Sequence, residues 1–203
     1  MKTYLSMVLL LISGCISSEQ SSQPKLFTLQ SDSLYFPIAQ FHGYSIADTM
    51  KAQWYSYMLL GLKEPIIFND SSSKEIFRFT WLRSFHHPIS IRIVKSNDKI
   101  YLYSKEADGA GGYQPGRIIF DETRILSIDD WNTFMDYVKS INSGPKYVER
   151  DGLDGAQWIL EEKSSRGYHV TDKWSPDEGD RFRECCEFLL RLSGIKIKKQ
   201  EMY

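Results

Sequence analysis

The runs Glu75-Ile76-Phe77-Arg78-Phe79-Thr80-Trp81-Leu82-Arg83 and Ile89-Ser90-Ile91-Arg92-Ile93-Val94-Lys95 decide how this chain folds. Phe77, Phe79 and Trp81 recur at every second position, and so do Ile89, Ile91 and Ile93. A period of two is that of a strand, whose successive side chains point to opposite faces. Both runs are therefore expected to be half-buried strands, each with one face in a core. His86-His87-Pro88 lies between them as a corner, because the residue before a proline is held in extended geometry.

Working outward, Asn97-Asp98 supplies a turn into a third strand, Lys99 to Ser104. The glycine-rich stretch Asp108 to Gly116 then leads to a fourth, Arg117 to Leu126, and the four read as an antiparallel meander. A second hairpin pairs Gln157 to Glu162 with Tyr168 to Trp174 across Ser164-Ser165-Arg166-Gly167. Three helices complete the pattern. Ser45 and Asp48 form a capping box before Ile46 to Leu60, where Ile46, Met50, Trp54, Tyr57 and Met58 recur at helical spacing. Ser127 and Asp130 cap a second helix carrying Trp131, Phe134, Met135 and Val138, which stops near Gly144-Pro145. Ser175, Pro176 and Glu178 open a third, with Phe182, Cys185, Cys186, Leu189 and Leu192 on its apolar stripe. The expectation is an α+β fold: an antiparallel sheet of about five or six strands with three helices packed on it.

The first fifteen residues have another character. Lys2 precedes an apolar run from Met7 to Ile12, about half the roughly 20 residues a spanning helix needs. Ile12-Ser13-Gly14-Cys15 resembles the lipobox of bacterial lipoproteins, an aliphatic residue and two small ones before an obligatory cysteine. The resemblance implies a signal peptide over residues 1–14 and acylation of Cys15, whose chains would hold the protein on a membrane without a spanning helix. The Ser- and Gln-rich residues 15–30 read as a flexible tether, leaving one domain over 31–203. Cys15-Ile16 lacks the aspartate that retains some enteric lipoproteins at the inner membrane, so the resemblance points to the outer membrane.

Composition narrows the partners. The chain of 203 residues has a formal net charge of −1, which argues against nucleic acid, whose binding depends on clustered positive charge. Only Cys185 and Cys186 remain beside Cys15. Neighbours in a helix point about 100° apart and cannot bond to each other, so both are expected to be buried free thiols.

Chemistry is sparse. His86 and His87 are the first place to look for metal or acid-base work, yet no accompanying spacing makes a metal site. His169 shares a polar strand face with Thr171 and Lys173, where hairpin pairing brings Glu161 or Glu162 near it in a carboxylate-imidazole arrangement. Arg78, Arg83 and Arg92 lie in or beside the first two strands, and Arg78 and Arg92 are candidates for binding an anionic group. Gly109 to Gly116 is no phosphate loop, since it lacks the Gly-Lys-Ser/Thr and leads into a strand. No nucleophile elbow, zinc motif or dinucleotide fingerprint occurs, and neither metal nor cofactor is expected.

Phe77 to Ile89, Gly112-Tyr113-Gln114-Pro115-Gly116, Asp154 to Glu161 and Tyr168 to Pro176 together resemble a family of uncharacterised bacterial proteins, over about Glu75 to Ile195. That resemblance implies no activity. The reading is a lipid-anchored envelope protein that binds a protein or envelope component through its exposed sheet face or glycine-rich loop, with an immunity or inhibitor protein as one concrete form. The rival is a small envelope hydrolase using His169 with Glu161 or Glu162. Cys15→Ser is expected to abolish acyl labelling and release the protein from the membrane fraction. Undiminished label and membrane partition in that variant would overturn the lipoprotein reading.

Overall fold

The computed structural model describes residues 34–37, 46–142, 152 and 154–203. The signal segment, Cys15, the tether, the Ser45 cap and the Gly144-Pro145 stop lie outside the described residues. The elements, in order, are α1 (Ile46–Gly61), β1 (Glu75–Arg83), β2 (Ile89–Ser96), β3 (Lys99–Ala107), β4 (Ile118–Ile125), α2 (Ile128–Asn142), β5 (Ala156–Ser164), β6 (Gly167–Trp174) and α3 (Arg181–Ser193). A short 3₁₀ turn, Lys199–Glu201, follows. The fold is α+β, with six strands in one sheet ordered β4-β3-β2-β1-β5-β6 and every neighbouring pair antiparallel.

The meander places β1 in the interior of the sheet, because the β5–β6 hairpin returns to pair with its free side. Phe79 then stands opposite Ile91 on β2 and Leu160 on β5, and Trp81 opposite Ile89 and Trp158. These side chains form the principal core with Trp131, Phe134 and Val138 of α2 and Phe182, Cys185, Cys186 and Leu189 of α3. Trp81 and Trp158 have ring centroids 5.1 Å apart, and Phe77 meets Phe134 edge-on at 5.1 Å. Both thiols are buried and free. Burial pushes the Cys185 thiol up to about 12, which leaves it protonated and inert at neutral pH.

The strands are not half-buried at the centre of the sheet. Arg78, Thr80 and Leu82 on the second face of β1 are as enclosed as the aromatics on the first. That face is covered by α1, whose Ala52, Tyr55, Met58 and Leu59 pack with Tyr35, Phe36, Leu82, Ile159 and Val170. The apolar stripe of α1 is therefore rotated from the expected one, and Met50 is 53% exposed. Helices thus cover both faces, α2 and α3 on one and α1 on the other.

The second face also holds charge. Arg78 is fully buried, and its Nε and Nη2 donate to the two Glu161 carboxylate oxygens at 2.5 and 2.7 Å. Its Nη1 donates to the Pro65 carbonyl at 2.6 Å, and Tyr168 adds its hydroxyl to Glu161 at 2.8 Å. Glu64, in the turn after α1, receives Arg92 Nε at 2.7 Å and lies 3.2 Å from Lys105 Nζ. Burial works against the charge on Arg78, but the Glu161 and Glu64 carboxylates more than offset it and hold the guanidinium protonated. Burial also pushes the Tyr168 hydroxyl well above its ordinary value, so it remains a neutral donor.

The third helix begins later than its Ser-Pro signal implies. Asp180 is its N-cap, accepting from the Phe182 N–H at 2.8 Å. The Ser175 hydroxyl, read as a cap, instead accepts the Ala156 N–H at 2.9 Å, closing the end of the β5–β6 hairpin. Gly179, at φ 83°, interrupts the helical path that Pro176 would have begun. Its left-handed backbone suits glycine.

Removing one member of a buried pair leaves the other charge stranded, which costs about 3–5 kcal/mol. Arg78→Met is expected to lower unfolding stability by that amount in urea titration. The double variant Arg78→Met/Glu161→Leu should recover most of the loss, because it removes the stranded carboxylate as well.

Candidate functional site

His169 sits exposed on the edge strand β6, directly opposite Glu162 on β5. The two line an open cleft of about 330 Å³ with Ser164, Arg166, Gly167 and Tyr168. Glu162 is already engaged there, accepting from Arg166 Nη2 at 2.7 Å and Ser164 Oγ at 3.1 Å. Glu161 points to the other face of the sheet, into the Arg78 fork. The fold thus brings His169 to Glu162 and separates it from Glu161. Arg78 and Arg92, candidates for an anion-binding surface, both serve the ionic layer on the second sheet face, paired with Glu161 and Glu64.

His86 and His87 part company at the corner between β1 and β2. The Nδ1 of His86 lies 2.6 Å from the Tyr203 hydroxyl, while that of His87 lies 2.9 Å from Glu106 Oε1. Three segments converge on this end of the sheet: the corner itself, the glycine-rich loop after β3, and the segment following α3.

The glycine-rich loop folds back onto the corner. Gly111 N–H donates to the His86 carbonyl at 2.9 Å, and Gly112 N–H to the Ser84 carbonyl at 3.3 Å. From α1, Trp54 Nε1 donates to the Gly111 carbonyl at 2.8 Å. The approach is so close that a Cβ on Gly111 would stand 2.6 Å from the Arg83 nitrogen and 2.7 Å from its carbonyl oxygen. At the loop's base, Asp108 accepts the Arg117 N–H at 2.6 Å. That backbone hydrogen bond holds its carboxyl below the usual carboxylate range. A stretch that composition marks as permissive is thus pinned at both ends and in the middle.

Two aromatic side chains project from this platform. Phe85, from the corner, is 58% exposed, and Tyr113, from the loop, is 65% exposed. Their centroids lie 6.1 Å apart, within the range of favourable ring pairs. Both rings stand on backbone held by hydrogen bonds, so little ordering would accompany their burial by a partner.

Two residues before Phe85 in the chain is Arg83, which strand parity places on the Trp81 face and which is only 2% exposed. Its guanidinium carbon sits 4.2 Å from the Trp81 ring centroid, and Nη2 donates to the His87 carbonyl at 2.9 Å. The nearest carboxylate, Glu201, is 3.6 Å from Nη1. Nε and Nη1 have no hydrogen-bond acceptor. Burial pulls the Arg83 pKa below its ordinary value, with Glu201 and Glu106 acting against that shift. Trp158 Nε1 donates to the main-chain oxygen of Tyr203 at 3.1 Å, laying the last residues of the chain over the site.

No family model, curated protein or solved structure matches the chain. Among the described residues no group of three or more His, Cys, Asp or Glu side chains could hold a metal ion, and no helix is long and apolar enough to cross a membrane.

The corner gives a direct test of its rigidity. Gly111→Ala presses a methyl group against main-chain atoms that cannot turn aside, an overpacking that costs about 1–3 kcal/mol. A lowered urea midpoint, with a changed environment at Trp54, is the expected result. Wild-type stability would show that the loop does not bear on the corner.

Proposed function

We propose that this chain is a lipid-anchored protein of the bacterial cell envelope that binds another envelope protein at the corner between β1 and β2. The Cys15 lipobox supports the anchor. The observation that carries the binding reading is the exposed pair Phe85 and Tyr113 on a backbone platform stapled by glycines and by Trp54. Aromatic residues dominate the energetics of protein interfaces, and they do so most when the partner need not order them. Phe85 from the corner and Tyr113 from the loop thus raise two large rings toward water from backbone that hydrogen bonds hold in place.

An inhibitor or immunity role is the concrete form of this reading: a protein held at the membrane by its acyl chains, occluding a partner that reaches the envelope. Hydrolysis by His169 and Glu162 has less support, since Glu162 Oε1 is held by Arg166 and Ser164 and His169 has no hydrogen-bond partner among the described residues to orient its ring.

Truncating an interface aromatic typically costs 2 kcal/mol or more, which is about thirtyfold in affinity. Detergent-extracted full chain, cross-linked in envelope extracts, is expected to retain a defined partner that Phe85→Ser/Tyr113→Ser loses by at least that factor. His169→Ala should retain it unchanged. Equal recovery with the aromatic double variant would overturn the docking reading, and loss with His169→Ala alone would move the site to the β5–β6 cleft.

A further inference from the structure

Arg83 is an anomaly of the core. A guanidinium taken out of water is costly unless hydrogen bonds and an opposite charge replace its hydration. Arg83 has one hydrogen bond, to the His87 carbonyl, while Nε and Nη1 lack acceptors at no more than 2% exposure of the residue. The one acid placed against it, Glu201, stops at 3.6 Å, beyond hydrogen-bond reach, and also leans toward Lys198 at 3.4 Å. Glu106, the other nearby carboxylate, is taken by His87.

The cover over Arg83 is a short turn, held on the principal core by the partly buried Met202 and Tyr203. The 3₁₀ turn Lys199–Glu201 has no side-chain cap and buries none of its residues. Tyr203 holds it through the His86 ring and the Trp158 N–H. Displacing this strap would open the way to a fixed cation backed by Trp81, two residues before Phe85 in the chain.

We propose that Arg83 is the receiving site for a carboxylate side chain of the docking partner, and that Glu201 occupies it as an internal stand-in. The inference rests on the docking reading for the source of the carboxylate. It deepens that reading by naming the chemistry: apolar groups of the partner meet Phe85 and Tyr113, and an acidic side chain beside them replaces Glu201 at Nη1 and Nε. A carboxylate fits better than a phosphate dianion, because the site offers a single cation with Glu106 and Glu201 close by, and a second negative charge would be repelled.

Acetate tests the site on the full chain without the partner. The Arg83 Nε–H resonance, assigned by its loss in Arg83→Lys, is expected to move saturably with acetate and not with chloride at matched ionic strength. Removing a partly exposed competitor charge is worth up to about 1 kcal/mol, so Glu201→Gln should tighten acetate binding about three- to fivefold and raise partner retention by a similar factor. That gain cannot come from misfolding. No saturable shift in either protein, or equal affinity in both, overturns the proposal. Tighter acetate binding with unchanged partner retention makes the ligand a free carboxylate and overturns its assignment to the partner. Loss of the aromatic dependence of docking would fall on the docking reading alone and leave the acetate titration as it stands.

Discussion

Arg78 and Glu161 face each other across the interior strands β1 and β5, both wholly enclosed, and the arrangement of the second sheet face follows from having to satisfy them. A guanidinium has five N–H groups, and water reaches none of these. Glu161 takes two nitrogens, the Pro65 carbonyl takes the third, and Tyr168 completes the carboxylate. The turn after α1 must therefore run close over β1, which brings Glu64 to Arg92 and Lys105. Charge in this layer is distributed so that each cation lies against a carboxylate, and Tyr35, the segment after α1 and Tyr168 close over it.

The two faces solve different problems. On the first, aromatic and aliphatic side chains of β1, β2, β3 and β5 meet α2 and α3, and stabilisation comes from apolar burial and ring contacts. On the second, α1 contributes Tyr55 as well as Met58 and Leu59. Its hydroxyl donates to Asp172, which also receives Gln157 Nε2 and approaches Lys51. Such a layer specifies register more sharply than apolar packing does, because a slip by one residue would turn Arg78 into the aromatic core and Phe77 into the ionic layer.

Much of the frame is legible in the sequence because its signals are local. Alternation at Phe77, Phe79 and Trp81 and at Ile89, Ile91 and Ile93 marks β1 and β2, and Ser127 caps α2 through the Asp130 N–H as its spacing implies. What escapes is set by distant partners. Ser175 is spent on Ala156, so the third helix waits for Asp180. Arg78 and Arg92 look like solvated charges until Glu64, Pro65 and Glu161 meet them, and the twist of α1 that exposes Met50 depends on what lies beneath. At the site, His86, His87 and the glycine-rich loop are visible as residues but not as neighbours. Arg83 did leave a trace, an arginine continuing the register of Phe77, Phe79 and Trp81, whereas nothing periodic marks Glu201 or Tyr203.

The strand order has a consequence for how the chain matures. Synthesis delivers β1 to β4 first, and the meander can close through local turns, but the inner flank of β1 stays unpaired until the β5–β6 hairpin arrives from beyond α2. Pairing across such a separation is slow, and an aromatic-rich open edge invites association between chains. Arg78 sits in the middle of that edge. Before Glu161 arrives it is a lone charge among Phe77, Phe79 and Thr80, a gatekeeper that makes pairing with a foreign strand costly. The residue that anchors a buried ion pair in the folded molecule is, in the nascent one, its protection against the wrong neighbour.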